Sequence, residues 1–256
     1  MLSIDLNCDM GESTDLWPYS IEKDFELSRY MSSINIACGY HAGDKGTMRL
    51  LAETAIKNKI SIGAHPCFPD RENFGRSNMD LPPQRIHEIV SEQISLLNDI
   101  VKALGGKLHH VKPHGALYNM AAKDKLIADA ICKAVRDIDT EIILYGLSGS
   151  WLIKAAEETG LKPCSEVFAD RTYNDDGNLT PRTSPKALID NADQSAKQVL
   201  QMINNEAVVT SSGKRISIKA ETICIHGDGS HAIEFAKKIH HALLQNGTLI
   251  KSPDFF

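Results

Sequence analysis

The sequence predicts an α/β fold closed into a (β/α) barrel, on three observations. Seven short apolar runs, rich in Ile or Val, alternate with longer helical patterns from end to end. Near-continuous apolarity is how strands buried on both faces of a parallel sheet read. The length of 256 residues, with 42% hydrophobic and 24% charged residues, suits one large domain. Chemically active side chains follow nearly every run. The count of runs alone would serve an open doubly wound sheet equally well. The barrel is preferred because it gathers all its strand ends at one mouth, whereas an open sheet gathers only those near its switch point.

The first run, 2–7, leads into Asp5, Asn7, Asp9 and Glu12. The second, 33–38, is followed by His41 and Asp44. The third, 60–64, is followed by His65, Asp70 and Arg76. A long helix comes next, with Ile86, Val90, Gln93, Leu97, Val101 and Leu104 on one face. The fourth run, 108–112, ends on Lys112 and opens onto Pro113, His114, Tyr118 and Asn119. The fifth, 141–145, has no charged residue after it. The sixth, 164–169, is followed by Asp170, Arg171, Tyr173 and Arg182. Ser184 as N-cap and Pro185 at the first helical position predict a helix through Leu188, Ala192, Val199 and Ile203. Val208 to Thr210, a Ser212-Gly213 turn and Ile216 to Ile218 predict a small peripheral β-hairpin within 207–218. The seventh run, 222–225, ends in His226, Gly227 and Asp228.

Four of the ten histidines, His41, His65, His114 and His226, sit at strand ends, where α/β folds place their chemistry. Other residues have plainer readings. Asp5 lies within a strand and serves as base or as structural acceptor. Asp44 and Asp228 can each cap a helix, and Asp70 with Arg76 can form a loop ion pair. His87 and His109 read as ordinary surface or helix histidines, Cys8 and Cys38 as core thiols. Lys112 and His114 flank Pro113, and a buried lysine is costly without a partner, so this pair reads as functional.

No phosphate loop, G-x-S-x-G elbow or H-E-x-x-H motif occurs. No pair of His and Asp residues has a diagnostic metal-binding spacing, so a divalent metal stays an open question. The net charge of −5 argues against a nucleic-acid partner. Six scattered cysteines without a C-x-x-C pair fit reduced thiols, and no leader-like or membrane-length apolar segment occurs. The expectation is a cytoplasmic protein with no membrane partner.

Together, DLNCDMGES at 5–13, NIACGYHAGD at 35–44, GAHP at 63–66, VKPHGALYN at 111–119, EVFADRTY at 166–173, LTPR at 179–182 and ICIHGD at 223–228 resemble the LamB/YcsF family. The departures are Cys67 in place of a usual Gly, Ser77 in place of a second Arg, and Gly229-Ser230 in place of a Pro-containing turn. The resemblance implies a seven-stranded (β/α) barrel like that of the glycoside hydrolase/deacetylase group. It implies hydrolysis of 5-oxo-L-proline to L-glutamate, with ATP consumed by a complex and bound mainly by partner subunits B and C.

For that chemistry the catalytic candidates are Asp9 or Asp5 as base, with His41 or His65 competing, Lys112 for the oxyanion or phosphate, and His114 as acid. Arg171 or Arg182 suits the substrate carboxylate, with Asp170 and Asp228 orienting these cations; Asn7, Glu12 and His226 complete the substrate-binding candidates. Two rival functions are a metal-dependent amide hydrolase or carbohydrate deacetylase on a related barrel, and a non-catalytic substrate-binding or scaffold subunit.

Overall fold

The computed structural model describes residues 2–18, 20–227 and 232–253. Its strands are β1 (Ser3–Met10), β2 (Ser33–Ala37), β3 (Ser61–His65), β4 (Leu108–Val111), β5 (Ile143–Leu147), β6 (Lys162–Phe168), β7 (Ala207–Val209), β8 (Arg215–Ser217), β9 (Thr222–Ile225) and β10 (Leu249–Ile250). Strands β1 to β6 and then β9 lie side by side, all parallel, and β9 returns to pair with β1. The barrel is therefore closed with seven strands, as the run count and the resemblance lead one to expect. Strand β10 pairs with β1 through Ser3↔Leu249 and Ile4↔Ile250. Strands β7 and β8 pair antiparallel as a separate two-stranded sheet.

The helices are α1 (Ile21–Ser28), α2 (Lys45–Asn58), α3 (Pro83–Ala103), α4 (Gly115–Ala121), α5 (Lys125–Ile138), α6 (Trp151–Thr159), α7 (Ala192–Asn205) and α8 (Ala232–Gln245). On β1 the side chains alternate. Leu6, Cys8 and Met10 join one apolar cluster with Ile86, Val90, Leu97 and Val101 of α3. Asp5, Asn7 and Asp9 take the other face, which is the barrel interior. No helix among the described residues is long and apolar enough to cross a membrane, and all six cysteines are buried and unpaired.

Several boundaries differ from the sequence expectations. β1 runs on to Met10, so Asp9 is a strand residue rather than a loop residue. β5 lies two residues later than expected and β6 begins two residues earlier. The helix expected from Ser184 begins instead at Ala192, where Asn191 accepts the Gln194 amide. The reason is competition. Thr172 N donates to Ala187 O and Ile189 N to Asp170 O, and a bridge joins Arg171 to Leu188, so 187–189 is held extended against the loop after β6. His109 is also not a surface residue. It is buried on β4, between His110 and the Pro253 carbonyl.

Candidate active site

The inside of the barrel is polar. At its lower end Asp5 receives four hydroxyls, from Ser32 (2.6 Å), Ser33 (2.7 Å), Tyr145 (2.9 Å) and Thr222 (2.6 Å). These donors fill the acceptor capacity of its two oxygens. The next layer is Asn7, whose amide donates to Thr222 Oγ1 (2.7 Å) and Glu166 Oε1 (3.0 Å) and whose oxygen accepts from Asn35 (2.8 Å). Asn35 also donates to Asp9 Oδ1 (2.8 Å) and its oxygen meets His110 Nε2 (2.8 Å). Gly63 makes room for that imidazole, since a Cβ there would lie 2.1 Å from His110 Nε2. Asp5 and Asn7, offered by sequence as catalytic and substrate-binding groups, are thus the buried foundation of the site. Neither lines the cavity at the mouth.

Lys112 stands at the top of this ladder, buried, with Asp9 Oδ1 (2.9 Å), Glu166 Oε1 (2.9 Å), Asn7 Oδ1 (3.2 Å) and Cys224 Sγ (3.0 Å) around its ammonium. An ammonium has three N–H bonds, so these partners leave none for a substrate oxyanion. Burial opposes its charge, but Asp9, with Cys224 and Glu166, outweighs burial and holds its pKa well above the usual lysine range. Burial likewise would raise Asp9, yet His65 and Lys112 hold that carboxyl well below its usual range. Glu166 is fully buried and its carboxylate faces the buried Tyr118 hydroxyl, whose pKa burial and then Glu166 push well above the usual tyrosine range. Sequence reasoning missed Glu166 because it lies within a run that reads as apolar. The signal was available, since an acid inside such a run is also what marks Asp5.

Beside Asp9, three histidines meet Glu12. Its Oε1 lies 3.0 Å from His41 Nε2, 3.1 Å from His114 Nδ1 and 3.6 Å from His65 Nε2. His65 Nε2 lies 3.0 Å from His114 Nδ1 and 3.3 Å from Asp9 Oδ2. His41 stacks flat on His114, with ring centroids 3.9 Å apart and planes within 3°. Burial, with the charge of His114, depresses His41 to about 3. Burial opposes protonation of His65 too, but Asp9 more than offsets it and its pKa is raised. Burial of Glu12 is outweighed by His114 and His41, which hold its carboxyl well below the usual range. Cys67, the departure from the family pattern, places its sulfur 3.0 Å from His41 Nδ1.

The loop that carries His114 is pinned by glycine. Gly115 has φ +57°, and a Cβ there would lie 2.4 Å from the Gly75 carbonyl. Ala116 N donates to that same carbonyl at 2.9 Å, which locks the start of α4 to the 74–75 turn.

These groups floor a cavity of about 550 Å³ lined by Asp9, Glu12, His65, His114, Phe168 and His226, with Arg76, Arg171 and Arg182 also on its wall. His226 Nδ1 pairs with Asp170 at 2.9 Å, and its ring stacks on Phe168 with centroids 5.4 Å apart. Burial of Asp170 is outweighed by His226, and its pKa is lowered. A ring nitrogen of His226 lies within 4.8 Å of Asp9 and Cys224 ligand atoms. Arg171 is buried and spends Nη2 on Thr180 O (2.6 Å) and Nε on Ala187 O (3.3 Å), so it shapes the loop as well as facing the cavity. Arg182 is exposed. Asp44 caps α2 through the Thr47 amide, the plainer of its two readings. Asp228 lies outside the described residues.

The comparisons with known proteins agree with this geometry. A protein from Tolumonas auensis, named as the A subunit of 5-oxoprolinase, is 51% identical over 252 residues, covering 98% of this chain and 100% of that one. The crystal structure of a lactam utilization protein from Thermus thermophilus superposes with a TM-score of 0.90 at 36% identity, covering 98% of this chain and 100% of the other. The catalytic domain of a peptidoglycan N-acetylglucosamine deacetylase from Eubacterium rectale shares the fold alone, with a TM-score of 0.51, 12% identity and coverage of 98% and 88%. The family model described as LamB/YcsF matches residues 4–254, nearly the whole length over which these strands and their mouth residues are built, and the chain belongs to the LamB/YcsF family.

Proposed function

We propose that the chain is the hydrolytic A subunit of an ATP-dependent 5-oxoprolinase that converts 5-oxo-L-proline to L-glutamate. The observation that carries the reading is the cavity floor. An ionised Asp9, held between Lys112 and His65, faces the same space as His226 beneath arginines. The names borne by proteins half identical over the whole chain supply the substrate.

A five-membered lactam has a resonance-stabilised amide and a poor leaving amine, so its hydrolysis needs carbonyl activation, a positioned water and a proton for the nitrogen. Partner subunits B and C bind and consume ATP, activating the lactam oxygen as a phosphate ester. This chain then adds water to the activated carbon; breaking the C–N bond of the resulting tetrahedral adduct leaves an acyl phosphate, and a second water hydrolyses it to L-glutamate and inorganic phosphate. Asp9 Oδ2 accepts the water's proton, because Oδ1 is already taken by Lys112 and Asn35. Arg182 holds the substrate carboxylate, since Arg171 is largely spent on backbone carbonyls.

The leaving nitrogen takes its proton from His226 rather than His114. His114 Nε2 is bound to the Phe74 carbonyl at 2.9 Å and Nδ1 is turned to Glu12 and His65. His226 donates Nδ1–H to Asp170 and presents its other nitrogen at the cavity wall. Lys112 acts through its charge, keeping Asp9 ionised. Buried, unpaired thiols support a cytoplasmic location.

The test is steady-state glutamate formation by the reconstituted complex. His226→Gln is expected to lower kcat by about 10²-fold or more, whereas Arg182→Ala raises KM for 5-oxoproline with a smaller effect on kcat. A His226→Gln complex that keeps wild-type kcat would remove the acid role.

A further inference from the structure

The tautomers of two buried histidines are fixed from behind. His65 Nδ1 lies 2.7 Å from the Lys112 carbonyl and His114 Nε2 lies 2.9 Å from the Phe74 carbonyl. A carbonyl only accepts, so each of these nitrogens carries the hydrogen. In the neutral rings, the form in which imidazole binds a metal, the opposite nitrogens, His65 Nε2 and His114 Nδ1, face the interior with bare lone pairs, 3.0 Å from each other. Glu12 Oε1, another acceptor, completes a triangle at 3.1 and 3.6 Å. Three acceptors turned on one point repel one another unless a proton or a metal ion sits among them.

The triangle has the size a metal ion requires. Zn²⁺ binds imidazole nitrogen and carboxylate oxygen at about 2.0–2.2 Å, which sets neighbouring ligand atoms roughly 3.0–3.5 Å apart in tetrahedral or octahedral geometry. The backbone carbonyl behind each ring is the outer support that metal-bound histidines use. We infer that Glu12, His65 and His114 form a binding site for one divalent transition-metal ion of the Zn²⁺ class.

His41 is excluded from the ligand set although it also touches Glu12. It lies parallel to His114, with planes within 3° and centroids 3.9 Å apart. An ion bound in the plane of one ring cannot lie in the plane of the other. His41 Nε2–H instead donates to Glu12 Oε1, with the Cys67 sulfur at its far nitrogen, so it is a positioning residue. Asp9 Oδ2, 3.3 Å from His65 Nε2, borders the open side of the ion. A water on that side would be both metal-bound and next to a carboxylate base. The site rests on side-chain geometry and stands whether or not the substrate is a lactam.

The test is metal content and Co²⁺ absorption of the purified chain. After stripping with chelator and dialysis against Zn²⁺, one ion per chain is expected by mass spectrometry. Co²⁺ should give d–d bands of a nitrogen- and oxygen-ligated site in the unmodified protein, a readout that needs no variant. His65→Ala and His114→Ala should each weaken Zn²⁺ binding by about 100-fold or more, and His41→Asn by about tenfold, at unchanged circular dichroism. Failure of the wild-type chain to retain Zn²⁺ or to perturb the Co²⁺ spectrum would overturn the site, leaving a shared proton between the two rings. A His41→Asn loss as large as that of His114→Ala would overturn the ligand set.

Discussion

Lys112 shows most clearly what one side chain does here. It is the sole lysine within hydrogen-bonding distance of Asp9 and Glu166 among the described residues, and all three are buried. Removing one partner of a buried ion pair leaves an uncompensated charge and costs about 3–5 kcal/mol. Lys112→Met should therefore lower the urea midpoint sharply as well as abolish turnover; a variant with wild-type stability would show that the buried charges are balanced elsewhere. His110 gives a pH signature. Burial, with the charges of His109 and Lys112, depresses its pKa well below the ordinary value. The unfolded chain binds a proton at this residue below about pH 6.5 and the folded chain does not. Its contribution to stability is thus complete above that pH and is lost as pH falls toward the folded pKa. Urea midpoints at pH 7.5 and 5.0 should show that slope, and His110→Gln should flatten it.

How far single residues were legible depended on where they sit. His41, His65, His114 and His226 were found because polar residues after apolar runs stand out. Their division of labour was not legible, because it depends on which nitrogen of each ring meets a carbonyl, as with His114 Nε2 and Phe74 O. Asp5 looked like a candidate general base since sequence cannot show that Ser32, Ser33, Tyr145 and Thr222 all converge on it. Those donors come from three other parts of the chain.

Among the elements, the strands were readable and the long connection after β6 was not. Ser184-Pro185 is a good helix-start signal, but the 171–189 segment is captured by tertiary bonds such as Thr172 N to Ala187 O. The actual start is Asn191. Asn191→Ala should cost about 1 kcal/mol, whereas Ser184→Ala should stay within roughly 0.5 kcal/mol of wild type. Equal effects at the two positions would mean the helix boundary is misplaced. Gly115→Ala tests the other local constraint. With φ +57° and 2.4 Å to the Gly75 carbonyl, it must displace the 74–75 turn. A loss of about 1–3 kcal/mol is expected, along with a fall in kcat, since the same turn carries the carbonyl that holds His114. A fully active, stable Gly115→Ala protein would contradict a locked loop.

At the scale of the whole molecule, the fold turns a polar core to use. Seven strands enclose a narrow interior, and Asp5, Asn7, Asn35, His110, Glu166 and Asp9 fill it with hydrogen bonds rather than apolar packing. Such a network specifies one register, because slipping β1 by a single residue would bury Leu6 and Cys8 inside and turn the acids into the helix layer. The same column delivers Asp9 and Lys112 to the mouth with fixed charge. Barrel closure was legible from the run count together with the strand-end residues; the polar interior was not, since buried strands of either kind read as nearly continuous apolar runs.

In the proposed function, this mouth completes lactam hydrolysis begun by ATP-consuming partners. The direct measurement is L-glutamate formed from 5-oxo-L-proline and ATP by the chain with subunits B and C, with each component omitted in turn. Glutamate is expected only when all components are present, and should be lost with an Asp9→Asn chain although the partners still turn over ATP. Glutamate formed at the same rate with this chain omitted, or with Asp9→Asn in its place, would contradict that function.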